Sequence, residues 1–234
     1  MRPWQQERHY IQALILNSLA EQPLIFKGGT YLWFFHGLRR FSEDLDFTAV
    51  GTIPDDLSAH VSRDLALFGI ENSVKDIESS DATISFRVAA KGPLNTSDKD
   101  ICYVYVEISK REYVIMKSIS LRLDIPAYQI PIKIIPGMSL DEVAAEKVRA
   151  ILSRNKARDV YDLYYLIKEK RVRFDISLIN KKLAYLSRSF SKKEFINELG
   201  RKENIFEKEL KSILFTKVPS FIDVRHIIES WIEQ

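Results

Sequence analysis

Near residue 136 the hydrophobic pattern of the chain changes period. Before it, short runs alternate apolar and polar side chains, the period of two that a strand with one buried face requires. Ala82–Ala89 puts Ile84, Phe86 and Val88 on one face, and Ile101–Ser109 does the same with Cys102, Val104, Val106 and Ile108. After it, apolar residues recur every three or four positions. A chain so written is expected to fold as a mixed α/β half to about residue 136 and a helical half over 137–234.

In the first half, helical spacing over 3–20 (Trp4, Ile11, Leu14, Ile15, Leu19) predicts a helix. A strand is expected at 24–26, a turn at Lys27–Thr30, and a buried helix at 31–38 carrying Tyr31, Trp33, Phe34 and Phe35. A strand at 41–48 and a helix from Pro54 to Phe68 follow. Further strands are expected at 70–78, 82–89, 101–109 and 130–135, with a polar loop at 92–100. In the second half Ser139 with Glu142 reads as a capping box. Helices are then expected at about 140–153, 157–170, 175–186, 191–199, 204–214 and 221–232. There is no internal repeat and no low-complexity linker.

Several function classes drop out. No apolar run approaches the ~20 residues that cross a bilayer. The MRPWQQERHY start lacks the pattern of a secretory signal. A single cysteine excludes a disulfide framework or a cysteine-cluster zinc site, and the four histidines form no metal-spaced motif. A cytoplasmic protein is expected. Net charge is only +3, but Lys147–Lys193 holds 14 Lys/Arg against 4 Asp/Glu. That excess suits a polyanion such as RNA, or a plain solvated helix surface.

The chemistry-bearing residues begin with Lys27-Gly28-Gly29-Thr30. A Gly-Gly pair between strand and helix leaves amides uncovered at a helix N-terminus, which is an anion site or simply a tight turn. Fifteen residues on, Ser42, Asp44 and Asp46 fall on one face of the expected strand, with Phe41, Leu45 and Phe47 mostly on the other. Asp44 and Asp46 would then lie roughly 7 Å apart at Cα. Carboxylates so spaced suit a pair of divalent cations about 3.5–4 Å apart, and hard oxygen ligands favour Mg2+ or Mn2+. Glu107 is the one acid in a run of strand formers and shares a face with Tyr103 and Tyr105. It suits a third metal ligand, a base for an attacking hydroxyl, or an exposed strand acid. Lys147 has Val143, Ala144, Ala150 and Ile151 as helical neighbours, so its charge needs a phosphate, a carboxylate cluster or a snorkelling stem. In Arg158-Asp159-Val160-Tyr161-Asp162-Leu163 both acids border the apolar face, and Arg158 with Asp162 is spaced as an i,i+4 pair. The aromatics at 31–35 read as core.

Together KGGTYL at 27–32, SEDLD at 42–46 and EKVRAILSRNKARDVYDLYYL at 146–166 resemble the AbiEii-type nucleotidyltransferase toxins of the DNA polymerase β-like superfamily. The Gly-Gly-Ser/Thr turn, Ser-x-Asp-x-Asp strand, helical Glu-Lys and Arg-Asp-x-x-Asp helix are all present in order. The likeness runs to about residue 185, and the last fifty residues carry no signature. It implies an α+β fold, a minimal nucleotidyltransferase mixed-sheet domain at 1–136 followed by a C-terminal helical bundle that completes the active site. It also implies that Asp44 and Asp46 hold magnesium with Glu107 as the third acid. Gly28, Gly29, Thr30 and Ser42 would hold the triphosphate, Lys147 would meet the phosphates, and Asp159 or Asp162 would complete the site. Partners would be an NTP, an RNA such as a tRNA acceptor end, and a cognate antitoxin. An aminoglycoside-type small-molecule transferase and a non-catalytic nucleotide-binding module share the same motifs.

Overall fold

The computed structural model describes residues 1–234, the side chain of Asp98 excepted. The fold is mixed α+β, a sheet with helices followed by a run of helices. The chain divides into two compact units. The first comprises Met1–His36 and Ser42–Met138, the second Gly37–Phe41 and Ser139–Gln234.

The first unit is built on α1 (Pro3–Leu19), β1 (Leu24–Lys27), α2 (Gly28–His36), β2 (Leu45–Ala49), α3 (Leu57–Leu67), β3 (Asn72–Ser79), β4 (Thr83–Ala90), β5 (Cys102–Ser109), β6 (Ile119–Leu123) and β7 (Lys133–Gly137). The strands form one seven-stranded sheet in the order β3-β4-β5-β2-β1-β7-β6. The β2–β5 and β1–β7 pairs are parallel and the others antiparallel. Alternation decides which face is buried. Val104, Val106 and Ile108 of β5 pair across with Val88, Phe86 and Ile84 of β4, and Val106 and Ile108 with Leu45 and Phe47 of β2. Except for half-buried Ile84, all are almost fully buried, and α1 packs on β5. The intervening residues, Tyr103, Tyr105 and Glu107, are exposed.

Two expectations for this unit are corrected. The strand predicted over 41–48 begins only at Leu45, so Ser42 and Asp44 precede the sheet. Side-chain donors have taken the carbonyls a longer strand would offer to its neighbour. Gln12 Nε2 donates to the Ser42 and Glu43 carbonyls at 3.1 and 2.8 Å, and Thr30 Oγ1 donates to the Asp44 carbonyl at 2.5 Å. Strand β6 has no counterpart among the expected strands, although Ile119, Leu121 and Leu123 alternate with Ser120 and Arg122. Tyr31 is fully buried and donates to the Met138 carbonyl, while Trp33, Phe34 and Phe35 are half-buried beside it.

The second unit contains α4 (Leu140–Ser153), α5 (Ala157–Lys170), α6 (Ile176–Ala184), α7 (Lys192–Arg201), α8 (Glu203–Ile213) and α9 (Phe221–Trp231). Ser139 caps α4, its Oγ accepting the Glu142 amide at 3.3 Å, and the Glu142 carboxylate reaches Lys182 at 2.6 Å. Gly37–Phe41 joins this unit by backbone pairing. The Phe41 amide donates to Ile213 at 2.8 Å and the Phe215 amide to Arg39 at 3.1 Å. Among the described residues no helix is long and apolar enough to cross a membrane.

Candidate active site

Strand pairing sets four side chains in one row across the first unit. Lys27 of β1 is opposite Asp46 of β2, Asp46 is opposite Glu107 of β5, and Glu107 is opposite Ser85 of β4. Directly paired residues point to the same side of a sheet. The row therefore lines two carboxylates beside one ammonium, with neighbouring strands about 4.8 Å apart. Two like charges in register repel unless a cation is near. Lys27 is next to Asp46 in the row, and its Nζ meets Glu112 Oε2 at 3.2 Å, both side chains being about nine-tenths buried.

Helix α2 starts directly where β1 ends, so the Gly28, Gly29 and Thr30 expected in a turn form its first turn instead. Gly28 has φ +81°, a left-handed backbone that glycine adopts without strain. A Cβ placed on it would lie 2.2 Å from Asp46 Oδ2. The Asp46 carboxylate thus leans onto the bare backbone at the positive end of α2, where unsatisfied amides and the helix dipole favour anions. Thr30 is wholly buried and its hydroxyl is committed to the Asp44 backbone. It fixes the approach of the chain to Asp44 and Asp46. Gln12, also wholly buried, does the same for Ser42. Ser42 and Asp44 are half-buried, and Glu107 is exposed.

The donors fit a hard divalent cation by chemistry, since all are carboxylate oxygens. Among the described residues no three His, Cys, Asp or Glu side chains are already gathered at ligand spacing. Magnesium is commonly held by one or two carboxylates together with substrate phosphates and water. The Asp46–Glu107 pair, with Asp44 two residues before Asp46, suits that mode.

The second unit gathers the other expected residues into a buried ion network of its own. Arg40 grips Asp162 with both arms, Nε to Oδ1 at 2.6 Å and Nη2 to Oδ2 at 2.7 Å. Lys147 Nζ lies 2.6 Å from Asp162 Oδ2 and 3.1 Å from Asp159 Oδ1. Arg154 grips Asp159 in the same two-armed way at 2.7 and 2.8 Å. Both acids are fully buried. Burial alone would raise their pKa values, but Arg40 and Lys147 hold Asp162, and Lys147 and Arg154 hold Asp159, below the usual carboxylate range. Of the anions the sequence leaves open for Lys147, the structure shows carboxylates. The expected Arg158–Asp162 pair is not formed among the described residues, because Asp162 turns inward to Arg40 and Lys147. Sequence reading placed Lys27 in the Gly-Gly motif without a role of its own, and it missed Arg40 and Arg154. Lys27 had a local signal, a cation at the end of an apolar strand. Arg40 had none, since its partner lies over a hundred residues away.

Residues 10–225 match the family described as the nucleotidyl transferase AbiEii toxin of type IV toxin–antitoxin systems. Comparison with curated proteins gives no match. Among solved structures, JHP933 from Helicobacter pylori superposes with a TM-score of 0.69 at 20% identity, covering 100% of this chain and 91% of its own. A putative nucleotidyltransferase from H. pylori gives 0.69 at 19%, covering 100% and 95%. MenT4, a nucleotidyltransferase toxin from Mycobacterium tuberculosis H37Rv, gives 0.68 at 20%, covering 99% and 84%. At these identities the structures establish a shared fold, and the family match over most of the chain establishes the rest: this protein belongs to the AbiEii family of nucleotidyltransferase toxins.

Proposed function

We propose that this toxin transfers a nucleotide from an NTP to an RNA, such as a tRNA acceptor end, at the Asp46–Glu107 row of the sheet. The observation that carries this reading is that row, two in-register carboxylates beside the N-terminus of α2. Asp44, Asp46 and Glu107 would hold Mg2+ or Mn2+. When bound, the metal supplies charge neutralisation at the attacking and leaving oxygens. The amides of Gly28 and Gly29 hold the triphosphate, with Thr30 and Ser42 shaping the approach. Lys27 adds positive charge beside Asp46. A hydroxyl of the acceptor attacks the α-phosphorus and pyrophosphate leaves in line. Glu107, the most exposed of the acids, is the group to take the proton from that hydroxyl.

Lys147, Asp159 and Asp162 enter this reading as positioning residues, whose network ties α4, α5 and Gly37–Phe41 of the helical unit together. The basic 147–193 stretch contributes to RNA binding through its exposed cations, among them Lys156, Arg171, Arg173, Lys181 and Lys193. Its buried Lys147 and Lys182 are committed to carboxylates. A cognate antitoxin completes the system.

The test is transfer of label from each α-labelled NTP to RNA by the purified protein with Mg2+. Labelled RNA is expected with at least one NTP, and Asp46→Asn is expected to abolish it. Folded protein that labels no RNA with any NTP, at any divalent cation concentration, would overturn the reading.

A further inference from the structure

Beyond the carboxylates, the same sheet face carries a second set of side chains that nucleotide transfer has not used. Tyr103 and Tyr105 of β5 are 38% and 44% exposed, an unusual cost for two large rings side by side. They stand in line with Glu107 at alternate positions, so each step along the row is roughly 7 Å. Arg87 of β4 is opposite Tyr105, and Lys75 of β3 is opposite Arg87. The Arg87 guanidinium sits 4.7 Å from the centre of the Tyr103 ring. Its Nε is buried yet has no hydrogen-bond partner among the described residues. Lys75 is exposed and makes no ion pair among the described residues.

Exposed rings flanked by cations on a sheet face suit single-stranded nucleic acid, whose bases stack on the rings while its phosphates meet the cations. The spacing agrees. Two steps of stacked bases cover about 6.8 Å, close to the interval from Tyr103 to Tyr105 and again from Tyr105 to Glu107. The geometry points to Tyr103 and Tyr105, with Arg87 and Lys75, as the platform on which the unpaired 3′ end of the acceptor RNA lies, its last nucleotide delivered to Glu107 and Asp46. This rests on the transfer reading and deepens it. It names the surface that receives the single-stranded end of the acceptor.

A short fluorescein-labelled oligoadenylate with a free 3′ hydroxyl tests this by fluorescence anisotropy on the full chain. Tyr103→Ala and Tyr105→Ala are each expected to weaken binding about 5- to 150-fold, the range for losing one stacked base. Tyr105→Phe is expected to keep it. Arg87→Met is expected to weaken binding and to lower the salt slope by about one. The substituted side chains all lie on the sheet face that faces away from the apolar core, and thermal melting of each variant checks that it folds. The proposal is overturned if the alanine variants bind the oligoadenylate as the wild type does, or if a blunt RNA duplex binds as tightly as the single strand. Asp46→Asn separates this from the transfer reading, because it is expected to bind the oligoadenylate while transferring nothing. If the wild type never labels RNA, the transfer reading fails and the binding series still decides the platform. If the wild type labels RNA and the alanine variants do so with an unchanged KM for the oligoadenylate, the platform alone fails.

Discussion

Replacing Gly28 by alanine tests the geometry at Asp46 directly. The added methyl would start 2.2 Å from Asp46 Oδ2 and 3.0 Å from its Cβ and Cγ, so the carboxylate has to move by more than an ångström. The backbone at φ +81° adds its own penalty, about 1–2 kcal/mol for a residue with a Cβ. Overpacking adds about 1–3 kcal/mol. The expected destabilisation is thus about 2–5 kcal/mol, or a melting point lower by about 4–20 °C in a chain of this size. Misplacing a reacting group by about 1 Å costs on the order of 100-fold in rate, so nucleotide transfer falls by at least that much. A double-mutant cycle isolates the clash. In an Asp46→Ala background the obstructing oxygen is gone and only the 3.0 Å contact with Cβ is left, so Gly28→Ala is expected to cost less, the backbone penalty of about 1–2 kcal/mol plus what remains of that contact. Chemical denaturation of the four proteins gives the cycle. Equal costs in both backgrounds would refute the packing of Asp46 on Gly28.

Two further outcomes follow from buried charges. Asp162→Asn leaves Arg40 and Lys147 facing a neutral amide at a site with no exposure; a loss of about 3–5 kcal/mol is expected, measured as an earlier helical unfolding transition by circular dichroism. His9 is stacked on Phe34 at 4.0 Å, hydrogen-bonded to the Tyr128 hydroxyl at 2.7 Å, and pushed by burial from 6.5 to about 4. Between those values the unfolded chain takes a proton that the folded chain refuses, so stability falls as pH drops through that window, by about 3 kcal/mol in all. Urea midpoints across pH 4–6.5 measure it, and His9→Phe is expected to flatten the profile.

Local pattern carried far in this chain. The faces of β4 and β5, the cap at Ser139 and the apolar surroundings of Lys147 are visible in neighbouring residues, because strand and helix periods are local properties. What stayed hidden depends on partners distant in sequence. Ser42 and Asp44 alternate like strand residues, yet Gln12 and Thr30 draw their carbonyls away. Asp162 looks like half of a helical surface pair with Arg158, yet its counterion is Arg40. The Lys27–Asp46–Glu107 row was half legible. Alternation alone puts Glu107 on the tyrosine face and Asp46 opposite Leu45, but only strand order brings those faces into one line.

The excursion of Gly37–Phe41 has a consequence for how the protein is made and dissected. A ribosome delivers Arg40 long before Asp162 exists, so this short stretch waits without its counterion while more than a hundred residues are synthesised. A fragment begun at Ser139 would carry Asp162 but lack that guanidinium, and one stopped at Met138 would carry the guanidinium with nothing to grip. No single cut in the gene separates the two units.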